Sequence, residues 1–310
     1  MPRARHLLSA KALHALWLDA PARHAAGDPE KQCTLFEVGC GAPDAFLTAH
    51  IPGAGYIDTQ TLETLPFWNA LEDAALLARF AALGIDCNGT VILYSRNLLA
   101  AARVAHLLLY AGVQDVRLLD GGWDAWCAEG LPVDMGQPAP ALPQPDFGLQ
   151  SPAKPHFKIN LAQAKALQAG LLQAHATGVT AATALVSIRT WEEHSGQTSG
   201  YSYIDAKGDI PGALWGHAGK SGDVNDMSDF HHPDGTMRSA ADITALWARC
   251  GIHSDMEIAF YCGTGWRASL AFFYAWLMGW EHISVFDGGW MEWSASDAVQ
   301  GSASCAKMTP

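Results

Sequence analysis

Short apolar runs of strand type alternate along the chain with longer runs at helical spacing. Thr90–Tyr94 reads as a buried strand, followed by Ser95-Arg-Asn-Leu-Leu-Ala100 and a helix over Ala101–Ala111. Val116–Leu119 reads as the next strand, closed by Asp120-Gly-Gly-Trp123, with a short helix over Ala125–Glu129. Upstream, Leu7–Leu18 predicts a helix with Ser9 as N-cap, Cys33–Val38 a strand, and Asp73–Leu83 an amphipathic helix closed by Gly84. The second half runs in the same order: strand Ala184–Ile188, helix Ala241–Cys250, strand Ile258–Tyr261, helix Ala268–Met278. The turns repeat too. His50-Ile-Pro-Gly-Ala54 answers Asp209-Ile-Pro-Gly-Ala213, and Asp120-Gly-Gly-Trp123 answers Asp287-Gly-Gly-Trp290. The step from Ser95 to Asp120 equals the step from Cys262 to Asp287. A strand–loop–helix–strand unit recurring at one spacing predicts an internal duplication, each half an α/β unit with a parallel sheet flanked by helices.

Between the halves, Gly136 to Pro155 carries six prolines and no long apolar run. Such a stretch predicts a semi-rigid linker. The expected division is residues 1–135, a linker over 136–156, and 157–310. Two stretches without counterpart in the first half, Gln197–Gly208 and Gly219–Gly235, are expected to form walls of a site in the second.

Charge and cysteine usage narrow the function. A formal net charge of −12 argues against a nucleic-acid partner or an acidic membrane surface. An anionic substrate would need a local basic pocket set against that field. Seven cysteines without a C-x-x-C pair suit a reducing compartment better than a disulfide framework. No window approaches a membrane span, and the apolar run after the basic N-terminus is broken by Lys11 and His14, so a cytoplasmic location is expected. His231-His232 lies near Asp226 and Asp229, but adjacent histidines point apart on an extended chain and no metal-ligand spacing accompanies them. No metal or cofactor is expected.

The densest chemistry is Cys262-Gly-Thr-Gly-Trp-Arg267, between a strand and a helix. A turn of this kind aims successive backbone N–H groups at one point, and the following helix adds its positive dipole end. Cys262 at its mouth is expected to be a reactive thiolate, with Gly263, Thr264, Gly265, Trp266 and Arg267 as the anion-stabilising loop. Other readings compete. Gly263-Thr-Gly-Trp-Arg-Ala268 matches the G-x-G-x-x-A dinucleotide fingerprint, yet too little chain follows Asp287 to complete a doubly wound sheet. A cysteine phosphatase or arsenate reductase needs five residues between Cys and Arg, and here there are four. A sulfur carrier or interaction module without turnover would share the reactive cysteine.

The tandem pattern, the six-residue loop at Cys262 and the paired I-P-G-A and D-G-G-W turns resemble the two-domain rhodanese sulfurtransferases over nearly the whole chain. The resemblance implies a catalytic second domain and a first domain that has lost the cysteine, with Ser95 at its place. It implies that Cys262 takes a sulfane sulfur as a persulfide from a small anionic donor, thiosulfate or 3-mercaptopyruvate, and passes it to a thiol or cyanide. It also implies that Arg189 binds the donor, together with Arg267. This chain departs from the family in three places. Ser187 stands where an acidic residue often precedes the arginine. Gly263 and Thr264 stand where thiosulfate-using members carry basic side chains. Glu63 lies near the place where some mercaptopyruvate enzymes have a histidine. Cys-Gly-Thr-Gly looks like the mercaptopyruvate users and Arg267 does not, so thiosulfate is slightly favoured.

Overall fold

The computed structural model describes residues 1–16, 33–137, 143–178, 182–220 and 222–296. In chain order the strands are β1 Leu7–Leu8, β2 Cys33–Gly39, β3 Gly55–Asp58, β4 Glu63–Thr64, β5 Asn69–Ala70, β6 Thr90–Tyr94, β7 Asp115–Leu119, β8 Lys158–Ile159, β9 Thr183–Ser187, β10 Leu214–Trp215, β11 Glu257–Tyr261 and β12 Ile283–Phe286. The helices are α1 (residues 10–16), α2 Asp44–Thr48, α3 Asp73–Ala82, α4 Leu98–Ala111, α5 Gly122–Ala128, α6 Leu161–Thr177, α7 Trp191–His194, α8 Ala240–Arg249, α9 Trp266–Leu277 and α10 (residues 289–296).

Two five-stranded sheets, each parallel throughout, run β3-β2-β6-β7-β1 and β10-β9-β11-β12-β8. They are the same topology twice, as the repeated motifs predict. The central strands β6 and β11 are buried over their last four residues, which is why both read as unbroken apolar runs.

The first expected helix is corrected. Leu7 and Leu8 pair in parallel with Leu118 and Leu119, and the helix starts only after Ser9, whose hydroxyl accepts from the Ala12 amide at 3.2 Å. A pair of apolar leucines completes the sheet edge there, where a helix would leave it open. Residues 17 and 18 of that expectation lie outside the described residues, as do linker residues 138–142. The described part of the linker lies against the first half. Phe147 is buried beside Phe80, its carbonyl accepts from the Cys87 amide, and the Ala153 and Lys154 amides bond Ala111 and Tyr110.

The two halves meet through α4 and α9, which occupy equivalent places in the repeat. Leu99–Ala111 of α4 and Arg267–Leu277 of α9 are buried at every position. A helix apolar on all sides has no solvent face to offer and must be covered all round. Each of these covers the other and backs its own sheet within one continuous core. His106 on α4 is part of this interface. It bonds the Phe157 carbonyl at 2.8 Å and meets Phe272 edge-on. Burial pushes its pKa down to about 3, so it is neutral.

Candidate active site

The chain leaves β11 at the carboxyl edge of the second sheet and turns through Cys262–Gly265 into α9. The turn is shorter than the expected six residues. Gly265, at φ 92°, is the helix cap, and Trp266 and Arg267 already belong to the first turn of α9. Cys262 is 2% exposed.

The second D-G-G-W segment fixes this turn. The Trp290 amide donates to the Cys262 carbonyl at 2.8 Å and the Met291 amide to the Gly263 carbonyl at 3.1 Å. Gly289, at φ 55°, is needed for this approach, since a Cβ there would lie 2.5 and 2.6 Å from those same two oxygens. The first half repeats the arrangement: the Trp123 amide donates to the Ser95 carbonyl at 3.1 Å, and a Cβ on Gly122 would lie 2.5 Å from it. With two carbonyls drawn off by α10, the loop amides are left on the other side of the chain. The Gly263 amide donates to the Tyr201 hydroxyl at 2.8 Å. Those of Thr264, Gly265 and Trp266 find no acceptor among the described residues.

Behind the loop is a buried ionic cluster. Arg267 makes a two-pronged pair with Glu193, at 2.9 and 2.8 Å, and also donates to the Tyr201 hydroxyl. Glu193 closes a capping box at the start of α7, accepting from the Thr190 amide at 2.8 Å. Burial pushes its carboxyl up, but the Arg267 fork outweighs that and holds it below the ordinary range. Arg189, immediately beyond β9, lies 3.7 Å from Glu193 and donates to the carbonyls of Gly208 at 2.7 Å and Ser199 at 3.2 Å. It therefore ties down both ends of the Gln197–Gly208 stretch. Ser187 is not a lost acid. Its hydroxyl donates at 2.6 Å to Asp209, which brings a carboxylate to the same cluster from the I-P-G-A turn, 3.6 Å from Arg189.

The first half supplies the opposite wall. Arg103 of α4 pairs with Glu63 at 2.8 Å and with Asp287 at 2.7 Å, and the Trp266 indole N–H donates to Glu63 at 3.2 Å. Asp287 also accepts from the Ala70 amide at 2.7 Å. Burial raises the Glu63 carboxyl above its usual range in spite of Arg103. Burial acts on Asp287 too, but Arg103 and the Ala70 amide hold it low. Arg103 Nη1 has no hydrogen-bond partner among the described residues, and a Cβ on Gly265 would lie 3.2 Å from it. Asp287 is thus committed to Arg103, which leaves no free acid of the kind a dinucleotide site places on a ribose.

The structure brings Cys262, Gly263, Thr264, Gly265, Trp266 and Arg267 together as one unit and sets Arg189 beside it through Glu193. Both guanidiniums are covered, Arg189 at 0% and Arg267 at 1% exposure, and both are engaged by protein. The sequence reading passed over Tyr201 and Tyr203. The first bonds the loop; the second lies beside the Thr264 side chain and is half exposed. Their signal was their place in the Gln197–Gly208 stretch. The pairing of Arg103 with Asp287 carried no local signal, because the two meet only across the two halves. No group of three His, Cys, Asp or Glu side chains is placed to hold a metal ion among the described residues, and none of the described helices is long and apolar enough to cross a membrane.

The duplicated fold with this loop at one carboxyl edge can be set beside known proteins. The rhodanese-like domain model matches residues 25–129 and again 168–296. The chain belongs to the rhodanese-like family. Among curated relatives, the thiosulfate sulfurtransferase YnjE of Escherichia coli K12 is 49% identical over 95% of this chain, which spans 64% of that protein's length. The crystal structure of YnjE superposes with a TM-score of 0.85 at 48% identity, covering 95% of this chain and 67% of that one. The sulfur carrier protein TtuD of Thermus thermophilus is 32% identical, over 79% of this chain and 82% of TtuD. A solved structure of EanB, with a cysteine persulfide in a tetrahedral intermediate state with ergothioneine, gives a TM-score of 0.84 at 33% identity, covering 96% of this chain and 70% of EanB.

Proposed function

We propose that this rhodanese-like chain is a sulfurtransferase working through a Cys262 persulfide, with thiosulfate slightly favoured as donor over 3-mercaptopyruvate. The Cys262 thiolate attacks the outer sulfur of thiosulfate, the S–S bond breaks, and sulfite leaves with the electron pair. The enzyme is left with Cys262–S–S⁻. Cyanide or an acceptor thiolate attacks the terminal sulfur, and the Cys262 thiolate is regenerated as leaving group. The supporting observation is the pinning of the Cys262 and Gly263 carbonyls by α10, which leaves the amides of Thr264, Gly265 and Trp266 to meet the sulfur anion. The α9 dipole adds to them. Arg267 and Arg189, covered as they are, act by holding the loop and by their field, with Glu193 and Asp209 moderating their charge. Incubation with thiosulfate should add one sulfur atom to the intact protein. Cys262→Ser should remove both that adduct and turnover, and retained turnover would sink the mechanism.

A second reading concerns the acceptor. The spacing from Tyr203 to Cys262, and on to Thr264, equals that from the substituted tyrosine to the persulfide cysteine and on to the substituted threonine in EanB structures, which hold ergothioneine or hercynine. Tyr203 and Tyr201, with ring centroids 5.4 Å apart, offer aromatic faces of the kind that attract a quaternary ammonium, and the −12 net charge favours a cation. Hercynine and cyanide, supplied in turn to the persulfide form, separate the readings. Sulfur transfer to hercynine at a rate below one hundredth of that to cyanide would dismiss the second.

A further inference from the structure

Outside this site, three side chains from three elements form a second thiol centre. Cys250 ends α8, His217 follows the edge strand β10, and Asp229 comes from the Gly219–Gly235 stretch. Cys250 Sγ lies 3.4 Å from His217 Nε2, and His217 Nδ1 lies 3.1 Å from Asp229 Oδ2. Asp229 accepts from Nδ1–H and so fixes the tautomer in which Nε2 is the acceptor. The Cys250 S–H is then the donor, the order of a nucleophile, its base and the group that orients the base. His217 holds this place at φ 68°, a left-handed conformation sparsely used by residues with side chains. Trp215 lies over its ring at 3.7 Å between centroids.

We propose that Cys250, His217 and Asp229 form a base-assisted thiol site that takes sulfur from an uncharged S–S bond, in a low-molecular-weight disulfide or persulfide. The class of substrate follows from the seat. Cys250 stands at the carbonyl end of α8, where the dipole disfavours anions, and the amides of Cys250, Gly251 and Ile252 are taken by α8 carbonyls. An anion such as thiosulfate suits the Cys262 loop and not this one. Burial holds the Cys250 thiol in its neutral form, offset only in part by Arg249, so reaction needs the imidazole to take the proton. In the step, the S–H proton passes to His217 Nε2 as Cys250 sulfur attacks R–S–S–R′. The S–S bond breaks, its electron pair goes to the departing sulfur, and the imidazolium returns the proton to it. Cys250–S–S–R and R′–SH result, with no outside oxidant. An R–S–SH donor attacked at its terminal sulfur gives Cys250–S–SH and R–SH. The Gly219–Gly235 stretch then has a function of its own, the supply of Asp229.

The full chain carrying Cys262→Ser, treated with 2,2′-dithiodipyridine at neutral pH and mapped by peptide mass spectrometry, tests this independently of the Cys262 mechanism. Cys250 should react about tenfold faster than the exposed Cys40 and Cys127, although it is half-buried. The dianionic 5,5′-dithiobis(2-nitrobenzoate) should lose that preference. Asp229→Asn and His217→Asn, the latter chosen because asparagine tolerates the left-handed backbone, should each bring Cys250 down to the exposed thiols' rate and leave Cys40 and Cys127 unchanged. A Cys250 rate at or below that of Cys40 in the parent overturns the proposal whatever the variants do. So does an unchanged Cys250 rate in Asp229→Asn.

Discussion

The Arg267–Glu193 pair decides whether Arg267 reads the donor or holds the loop. Both side chains are almost wholly covered, at 1% and 2%, and joined by two bonds of 2.9 and 2.8 Å. Removing one partner of such a pair strands the other's charge, at a cost of ~3–5 kcal/mol. Arg267→Ala leaves Glu193 with Arg189 at 3.7 Å, which places it near the lower end. Glu193→Ala leaves two guanidiniums facing each other, with Asp209 3.6 Å from Arg189 as partial relief, and belongs near the upper end. Were the residues independent, the double variant would lose about 8 kcal/mol. Because neither charge is then stranded by the other, the loss should fall short of that sum by ~2–3 kcal/mol. At ~2–4 °C per kcal/mol for a chain of this size, Arg267→Ala should lower the melting midpoint by roughly 6–12 °C. Urea and thermal denaturation followed by circular dichroism give the cycle, and initial rates with thiosulfate and 3-mercaptopyruvate accompany it. A loop-holding role predicts that both donors lose kcat/KM by the same factor. Strict additivity, or a loss of thiosulfate turnover alone at unchanged stability, would refute the reasoning and return Arg267 to the role of donor ligand.

Three further outcomes follow from the geometry. Gly289→Ala should depress turnover and stability together, because its methyl would meet the Cys262 and Gly263 carbonyls at 2.5 and 2.6 Å; wild-type rates would show that α10 does not set the loop. Tyr203→Phe removes the hydroxyl beside the Thr264 side chain and should cost about tenfold in kcat with an intact melting curve, and an unchanged kcat would take Tyr203 out of the reaction. His106, pushed down to about 3, and His231, pushed down to about 4, are neutral when folded and take up protons on unfolding. Their contribution is fully present above the unfolded value of about 6.5 and is lost as pH falls towards those folded values, at up to ~1.4 kcal/mol per pH unit for each. Urea midpoints at pH 7 and pH 4.5 check this, and equal midpoints would contradict it.

Much of this molecule could be read from its chain because the signals were local. Thr90–Tyr94 stands where its apolar run put it, since a strand covered on both faces has no alternation to blur its ends. The loop from Cys262 was legible because glycine spacing and a helix start are properties of neighbours in sequence. The edge strands were not: Leu7–Leu8 and Leu214–Trp215 are two residues each, too short to show a period. The long helix Leu161–Thr177 also escaped, because only Ala164 and Leu171 on it are buried and its apolar stripe is weak. The partners of the arginines were beyond reach for another reason. Arg103 meets Asp287 across 184 residues, and nothing in the neighbourhood of either announces it.

The all-round burial of α9 bears on how this duplication could diverge. A domain that lends such a helix to a shared seam cannot be moved to another context by cutting at the linker. The first copy carries Ser95 where the second carries Cys262, and its freedom to change lies in what it brings across the seam. Arg103 on α4 and Glu63, touching Gly265 and Trp266 from across the seam, are what it brings. In such a pair each member is inherited as part of the other, and losing the first removes a wall of the candidate site along with a neighbour.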